Sequence, residues 1–154
     1  MDKTGTHFPI LAACVARTSG PVLELGCGDY STPMLHLLCR NRPLVSIETD
    51  ASWLGRYADL ENKDHQFHHV QDWDSAEIID RGEWDVAFVD HAPGNRRVPE
   101  IRRLMKNTRL IVIHDTEDAG YGFESVLPEF KYRFDYKRWE PWTTVVSMSE
   151  SFEP

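Results

Sequence analysis

The sequence predicts an α/β domain with a doubly wound, mostly parallel sheet of seven strands that ends in an antiparallel C-terminal strand. Three observations predict it. Apolar runs of strand length alternate with segments of helical period from residue 21 to about residue 113. The first of these runs closes in a glycine-paired turn that leads straight into a helix start. The last two runs are a strictly alternating one and a β-branched one, joined by the short connection Glu140-Pro141-Trp142.

Taken in order, His7, Phe8, Ile10, Leu11, Cys14 and Val15 repeat at helical spacing, which predicts a leading helix whose apolar face covers the sheet or the mouth of a site. Ser19-Gly20-Pro21 stops it, and Pro21 to Leu25 reads as the first buried strand. Gly26 and Gly28 then provide a turn where the backbone folds sharply or approaches a ligand closely. Thr32 and Pro33 read as N-cap and first helical position, with Met34, Leu35, Leu37 and Leu38 on the apolar face.

Pro43 to Glu48 is the second strand and ends in a carboxylate. Asp50 or Ser52 caps a second helix, whose Trp53, Leu54, Tyr57 and Leu60 are expected in the core. His65 to Val70 is the third strand, followed by Gln71-Asp72-Trp73 and a short helix from Ser75 to Asp80. Trp84 to Asp90 is the fourth, and the next helix turns Val98, Ile101, Leu104 and Met105 inward. Thr108 to Ile113 is the fifth. Phe123, Val126, Leu127 and Phe130 predict a short helix before the closing pair, Lys131 to Trp139 and Thr143 to Met148.

At 154 residues the chain has the length of one domain, divided into a leading helix or lid (1–20) and a core (21–149). The 41% hydrophobic and 27% charged composition is that of a globular chain. A formal charge of −8 argues against a nucleic-acid or anionic-membrane partner. No apolar run has the length of a membrane span. Cys14, Cys27 and Cys39 form neither a paired framework nor a metal-ligand spacing, which fits a reducing compartment, so a cytoplasmic protein is expected.

Strand, glycine turn and helix N-terminus in that order make a nucleotide-type site, with backbone N–H groups and the helix dipole at its mouth. Glu24-Leu25-Gly26-Cys27-Gly28 resembles the first motif of the Rossmann-like, class I S-adenosylmethionine-dependent methyltransferases, and the likeness of motifs and layout covers roughly residues 20 to 149. The resemblance implies S-adenosyl-L-methionine as cofactor, held by Glu24 at its methionine end. Gly26, Cys27, Gly28 and Ser31 would form the loop beside it, Glu48 would accept from the ribose hydroxyls, and Asp72 with Trp73 would grip the adenine. Asp72 or Asp74 also reads as a helix cap before Ser75 to Asp80, and both readings stay open. Valine at Gly26 is expected to abolish cofactor binding and leave the fold intact. The [DNS]-P-P-[YFW] sequence of amino-group methyltransferases acting on nucleic acid is replaced here by Asp90-His91-Ala92-Pro93.

Polar chemistry gathers at two further strand ends, Asp90-His91 and His114-Asp115, where an open parallel sheet binds its ligands. Histidine titrates near neutrality, so His91 or His114 would serve as general base toward a hydroxyl, oriented by Asp90 or Asp115. The same groups offer a second mechanism: Asp90, Asp115 and one histidine, His114, would hold Mg2+ or another divalent ion, which resembles metal-dependent O-methyltransferases. Arg96 and Arg97 open a helix beside this edge and would meet an anionic acceptor. The expected activity is O-methylation of a small or sugar-like molecule. A non-catalytic module binding an adenosine ligand, and a lyase or hydrolase on the same scaffold, are the alternatives. The oligomeric state, a homodimer included, is left open.

Overall fold

The computed structural model describes residues 3–154. Its centre is a seven-stranded sheet in the order β3-β2-β1-β4-β5-β7-β6. The strands are β1 (Val22–Leu25), β2 (Leu44–Glu48), β3 (His65–His69), β4 (Trp84–Val89), β5 (Thr108–His114), β6 (Tyr132–Tyr136) and β7 (Thr143–Ser147). β1 pairs in parallel with both β2 and β4, so the strand order reverses between them. In a doubly wound sheet that reversal opens a crevice at the carboxyl ends of the strands. β7 runs antiparallel to β5, with Ile111 opposite Val146, and β6 pairs antiparallel with β7.

Every residue of β1, β2 and β7 is buried, which is why these strands read as continuous runs rather than as alternating ones. Successive side chains still go to opposite faces. Leu23, Leu25, Val89 and Ile111 pack on one side with Ile101 and Leu104 of α5 (Arg97–Leu104), and Val22, Phe88 and Val112 pack on the other. That second face is closed by Ile10 and Leu11 of α1 (Phe8–Ala16) and Met34 and Leu35 of α2 (Ser31–Leu38). The leading helix thus covers the sheet, and its first residues reach the carboxyl edge.

Three local expectations are corrected. Thr32 is not the cap of α2: Tyr30 holds that position without a side-chain bond, because the Thr32 hydroxyl is drawn to Glu24 beneath it. The Ser75 to Asp80 segment is a 3-10 turn at Trp73–Ser75 followed by a single helical turn, α4 (Ile78–Arg81), with α3 (Ala51–Gly55) before it in the chain. Phe123 to Phe130 forms short 3-10 turns instead of one helix, since Pro128 removes a backbone donor and clashes with the preceding turn. No helix among the described residues is long and apolar enough to cross a membrane.

Candidate active site

Two hollows lie side by side along the carboxyl edge. One, of about 230 Å³, is bounded by His7, Cys27, Gly28, Ser31, Trp53 and Asp90. The other, of about 340 Å³, is bounded by Thr49, Gln71, Asp72, Trp73, Pro93 and Arg96. A larger hollow of about 470 Å³ sits at the opposite edge, among Pro21, Asp85, Asn107 and Thr108, away from these groups.

The glycine loop is fixed from below. Gly26 has φ +90°, and a Cβ there would fall 2.6 Å from His91 Cα and 2.8 Å from His91 N. The loop therefore rests directly on the backbone that leaves β4. This corrects the expectation that a side chain at Gly26 would spare the fold: Gly26→Ala should lower stability by about 1–3 kcal/mol through the disfavoured φ alone. An unchanged urea midpoint would contradict that contact.

Glu24 is fully buried under the loop. Its carboxyl accepts from Ser46 Oγ at 2.5 Å and from Thr32 Oγ1 at 3.0 Å, and the same Thr32 oxygen accepts the Gly28 N–H at 2.9 Å. Glu24 is thus tied to the loop through Thr32 and is not exposed in the crevice. Burial raises its pKa to about 7, against the pull of the hydroxyl donors. Glu48 holds the other flank of the loop: one oxygen accepts the Cys27 N–H at 3.1 Å, and the other accepts the N–H groups of Thr49 at 2.7 Å and Asp50 at 3.0 Å. The Cys27 thiol is buried, and desolvation together with the charges of Glu24 and Glu48 pushes its pKa up, which disfavours a thiolate.

Trp53, expected in the core, instead faces the first hollow and donates its indole N–H to the Cys27 carbonyl at 2.6 Å. Trp73 goes the other way. It is buried, donates to the Ala92 carbonyl at 2.9 Å, packs on His91 with ring centroids 4.0 Å apart and borders the second hollow beside Asp72. Asp72 caps the following turn by accepting Ser75 N–H at 2.8 Å, and it also borders the second hollow.

The two Asp-His pairs do not meet as expected. Asp90 turns toward β5, and its Oδ2 lies 3.3 Å from His114 Nδ1. His91 turns to the α5 side, under Trp73, where it lies 3.5 Å from the buried carboxylate of Glu100. Its place in the crevice is therefore corrected, for the reason that adjacent residues at a strand end leave on opposite faces. Burial lowers the His91 pKa despite Glu100, which keeps the ring neutral.

Arg97, expected to face an anionic acceptor, is buried and fully engaged. Its guanidinium meets Asp90 Oδ1 and Asp115 Oδ2, each at 2.9 Å, and donates to the carbonyls of His91 at 2.8 Å and His114 at 3.1 Å. Arg96 borders the second hollow, and it is already paired with Asp74 at 2.7 Å and Glu100 at 2.9 Å. Asp115 is held at φ +59°, a conformation that costs energy in a non-glycine residue, and the Arg97 bond fixes it there. Burial would raise the Asp90 pKa, but the hydrogen bond and charge of His114, with Arg97, hold it below the usual carboxylate range. Asp115 is pushed the other way by burial and by the charge of Asp90. The two carboxylates are thus split in proton affinity. His114 is raised, because Asp90 and Asp115 outweigh its burial.

Two participants come from the N-terminal segment, which the sequence reads as a leading helix covering the sheet or the mouth of a site without assigning either residue a role. Thr6 Oγ1 lies 2.9 Å from His114 Nε2 and donates to the Pro141 carbonyl at 2.7 Å. His7 packs edge-on to His114 with ring centroids 4.8 Å apart. The available signal is position: a histidine just before Phe8-Pro9 sits at the start of a helix, and that start lies at the crevice.

The donor set does not fit the Mg2+ expectation. Magnesium takes an octahedron of oxygen ligands. Among the described residues the side chains whose ligand atoms converge are two imidazoles and one carboxylate, His7, His114 and Asp90, and Asp115 is not among them.

No family model and no curated protein matches the sequence. Solved structures do match the fold. The precorrin-6y C5,15-methyltransferase from Geobacter metallireducens superposes with a TM-score of 0.65 at 13% identity, over 96% of this chain and 93% of that one. An rRNA methylase from Streptococcus thermophilus gives 0.62 at 13% identity, over 96% and 99%. The chain has the class I S-adenosylmethionine-dependent methyltransferase fold. The bifunctional kinase-methyltransferase WbdD shares this methyltransferase fold with a TM-score of 0.62 at 16% identity; the match covers 91% of this chain and only 38% of WbdD.

Proposed function

We propose that this chain is an S-adenosyl-L-methionine-dependent methyltransferase acting on a hydroxyl of a small or sugar-like acceptor. The observation that carries the reading is the order of groups along one edge. The second hollow with Asp72 comes first, then Glu48 at the tip of β2, then the glycine loop, and last the Asp90-His114-Asp115 cluster beside the first hollow. A cofactor laid along that edge has its adenine by Asp72, its ribose hydroxyls by Glu48 and its methionine end over Gly26, Cys27, Gly28 and Ser31. Its sulfonium then faces the cluster. The methyltransferases that share the fold support the same class of chemistry.

The cofactor supplies an electrophilic methyl group, and the work left to the protein is alignment and proton removal. Asp90 and Asp115, locked by Arg97, orient His114. The Thr6 hydroxyl already donates to Pro141, so its oxygen accepts the His114 Nε2–H. His114 Nδ1 lies 3.3 Å from both Asp90 Oδ2 and Asp115 Oδ1, so these three groups share a proton between them and as a unit would take up the acceptor's proton. Glu24 supports the loop through Thr32 and does not touch the ligand.

Calorimetry with S-adenosylmethionine and with its demethylated product tests the cofactor half. Glu48→Gln keeps an oxygen for the Thr49 and Asp50 N–H groups but loses the acceptor of the Cys27 N–H, and it should weaken binding by about 1.5–3 kcal/mol, the cost of lost hydrogen bonds to a charged acceptor. No heat with either ligand overturns the reading. Transfer of label from methyl-labelled cofactor into hydroxyl compounds of a metabolite extract separates an enzyme from a module that only binds.

A further inference from the structure

His7 is hard to account for as packing. It is 1% exposed, lies against Phe88 with ring centroids 4.7 Å apart, and neither ring nitrogen has a hydrogen-bond partner among the described residues. Buried polar atoms left unpaired are costly, and an ion or water is the usual reason one persists. The group beside it has the composition of a metal site. One ligand atom each from His7, Asp90 and His114 lies within 4.8 Å of the other two. Ligands at about 2.0–2.1 Å from a tetrahedral ion are separated by about 3.3 Å, and the Asp90 Oδ2 to His114 Nδ1 distance is already 3.3 Å. The ligand atoms now lie up to 4.8 Å apart, so an ion would draw them together.

The supporting contacts are those a metal site needs. Metal-bound histidines donate their other N–H to an oxygen, and ligating carboxylates are themselves hydrogen-bonded. Thr6 receives the Nε2–H of His114, so Nδ1, which faces Asp90, is the nitrogen that would give up its proton to bind an ion. Arg97 holds Asp90 by Oδ1, which leaves Oδ2 for the ion. His7 and Asp90 both border the first hollow, so a further coordination position would open onto it.

We propose that His7, Asp90 and His114 form a binding site for a divalent transition-metal ion, zinc being the type, with an open position facing the first hollow. Two imidazoles and a carboxylate suit zinc, iron or cobalt and not magnesium or calcium. This is a different ligand set from the Asp90-Asp115-His114 oxygen-rich site that the sequence suggests. It makes the docking of the N-terminal segment part of site assembly. An ion here takes the Nδ1 lone pair of His114 and loosens the proton of a bound hydroxyl itself.

The test needs no cofactor, so its failure is separate from failure of the methyl-transfer reading. Chelator-treated protein is titrated with Co2+ and followed by visible absorption. One equivalent should give the intense bands of a four- or five-coordinate ion. Zinc should displace it stoichiometrically, and millimolar Mg2+ should not. His7→Phe keeps an aromatic ring against Phe88 without a ligand atom. It should retain the thermal midpoint of the metal-free protein and bind Co2+ about a hundredfold more weakly, while Thr6→Val should cost about tenfold, as expected for losing an outer-shell partner. Co2+ binding that is absent in the native protein, or equally tight in His7→Phe, overturns the proposal.

Discussion

Arg97→Ala should be the most damaging single substitution at the carboxyl edge, lowering unfolding stability by about 3–5 kcal/mol, the range for removing one partner of a buried ion pair. Four acceptors converge on this guanidinium: the carboxylates of Asp90 and Asp115 and the carbonyls of His91 and His114. The side chain is only 6% exposed, so water does not replace what is lost. The two carboxylates would be left with His114 alone between them, and the strained Asp115 would lose its anchor. Typical domains are stable by only about 5–15 kcal/mol, so the loss is a large share of the whole. Arg97→Lys keeps the charge but not the planar fork and should recover only part of it. Adding Asp115→Asn to Arg97→Ala should restore stability by removing the repulsion. An Arg97→Ala protein whose urea midpoint matches the native one would refute this account.

The same residue marks where the sequence stops being readable. The strand order and strand ends were legible because buried parallel strands are continuous apolar runs. Their polar termini, Glu48, Asp72, Asp90 and His114, stand out against them. The direction of each side chain at those ends was not. Asp90 and His91 are neighbours in sequence and point to opposite sides of the sheet, so a pair that looked like one catalytic unit divides into a crevice residue and a buried one. Arg97 carried the signal of a charged helix start, yet the crossing of α5 behind β4 and β5 points it inward. Thr6 and His7 reach His114 across 108 and 107 residues of chain, and only the docking of α1 on the sheet brings them there. Trp53 left its expected place in the core for the same kind of reason: helical spacing identifies an apolar face but not which end of the helix overhangs the crevice.

Glu24 should make the stability of the protein fall as pH rises from about 4.5 to about 7. Its folded pKa is raised to about 7 from an ordinary value of 4.5. Between those values the unfolded chain has lost the proton that the folded chain keeps, so the unfolded state binds fewer protons and stability declines with pH. The decline is complete once the folded carboxyl ionises as well. Each tenfold gain in proton affinity on folding is worth about 1.4 kcal/mol, so the whole decline is on the order of 3 kcal/mol. The charge then appears beneath the glycine loop, where the hydroxyls of Ser46 and Thr32 are the groups that receive it. Ser46 is itself backed by His65, 2.9 Å away, whose pKa burial and the charge of His36 lower to about 4. His65 therefore stays neutral throughout this range and offers no compensating cation. Glu24→Gln keeps the shape and removes the titration. The difference in urea stability between native protein and Glu24→Gln should shift in favour of the variant by that amount between pH 4.5 and 7, whatever the other carboxylates contribute to both. A difference that stays constant with pH would mean that Glu24 is ionised throughout, with the loop resting on a permanent buried charge.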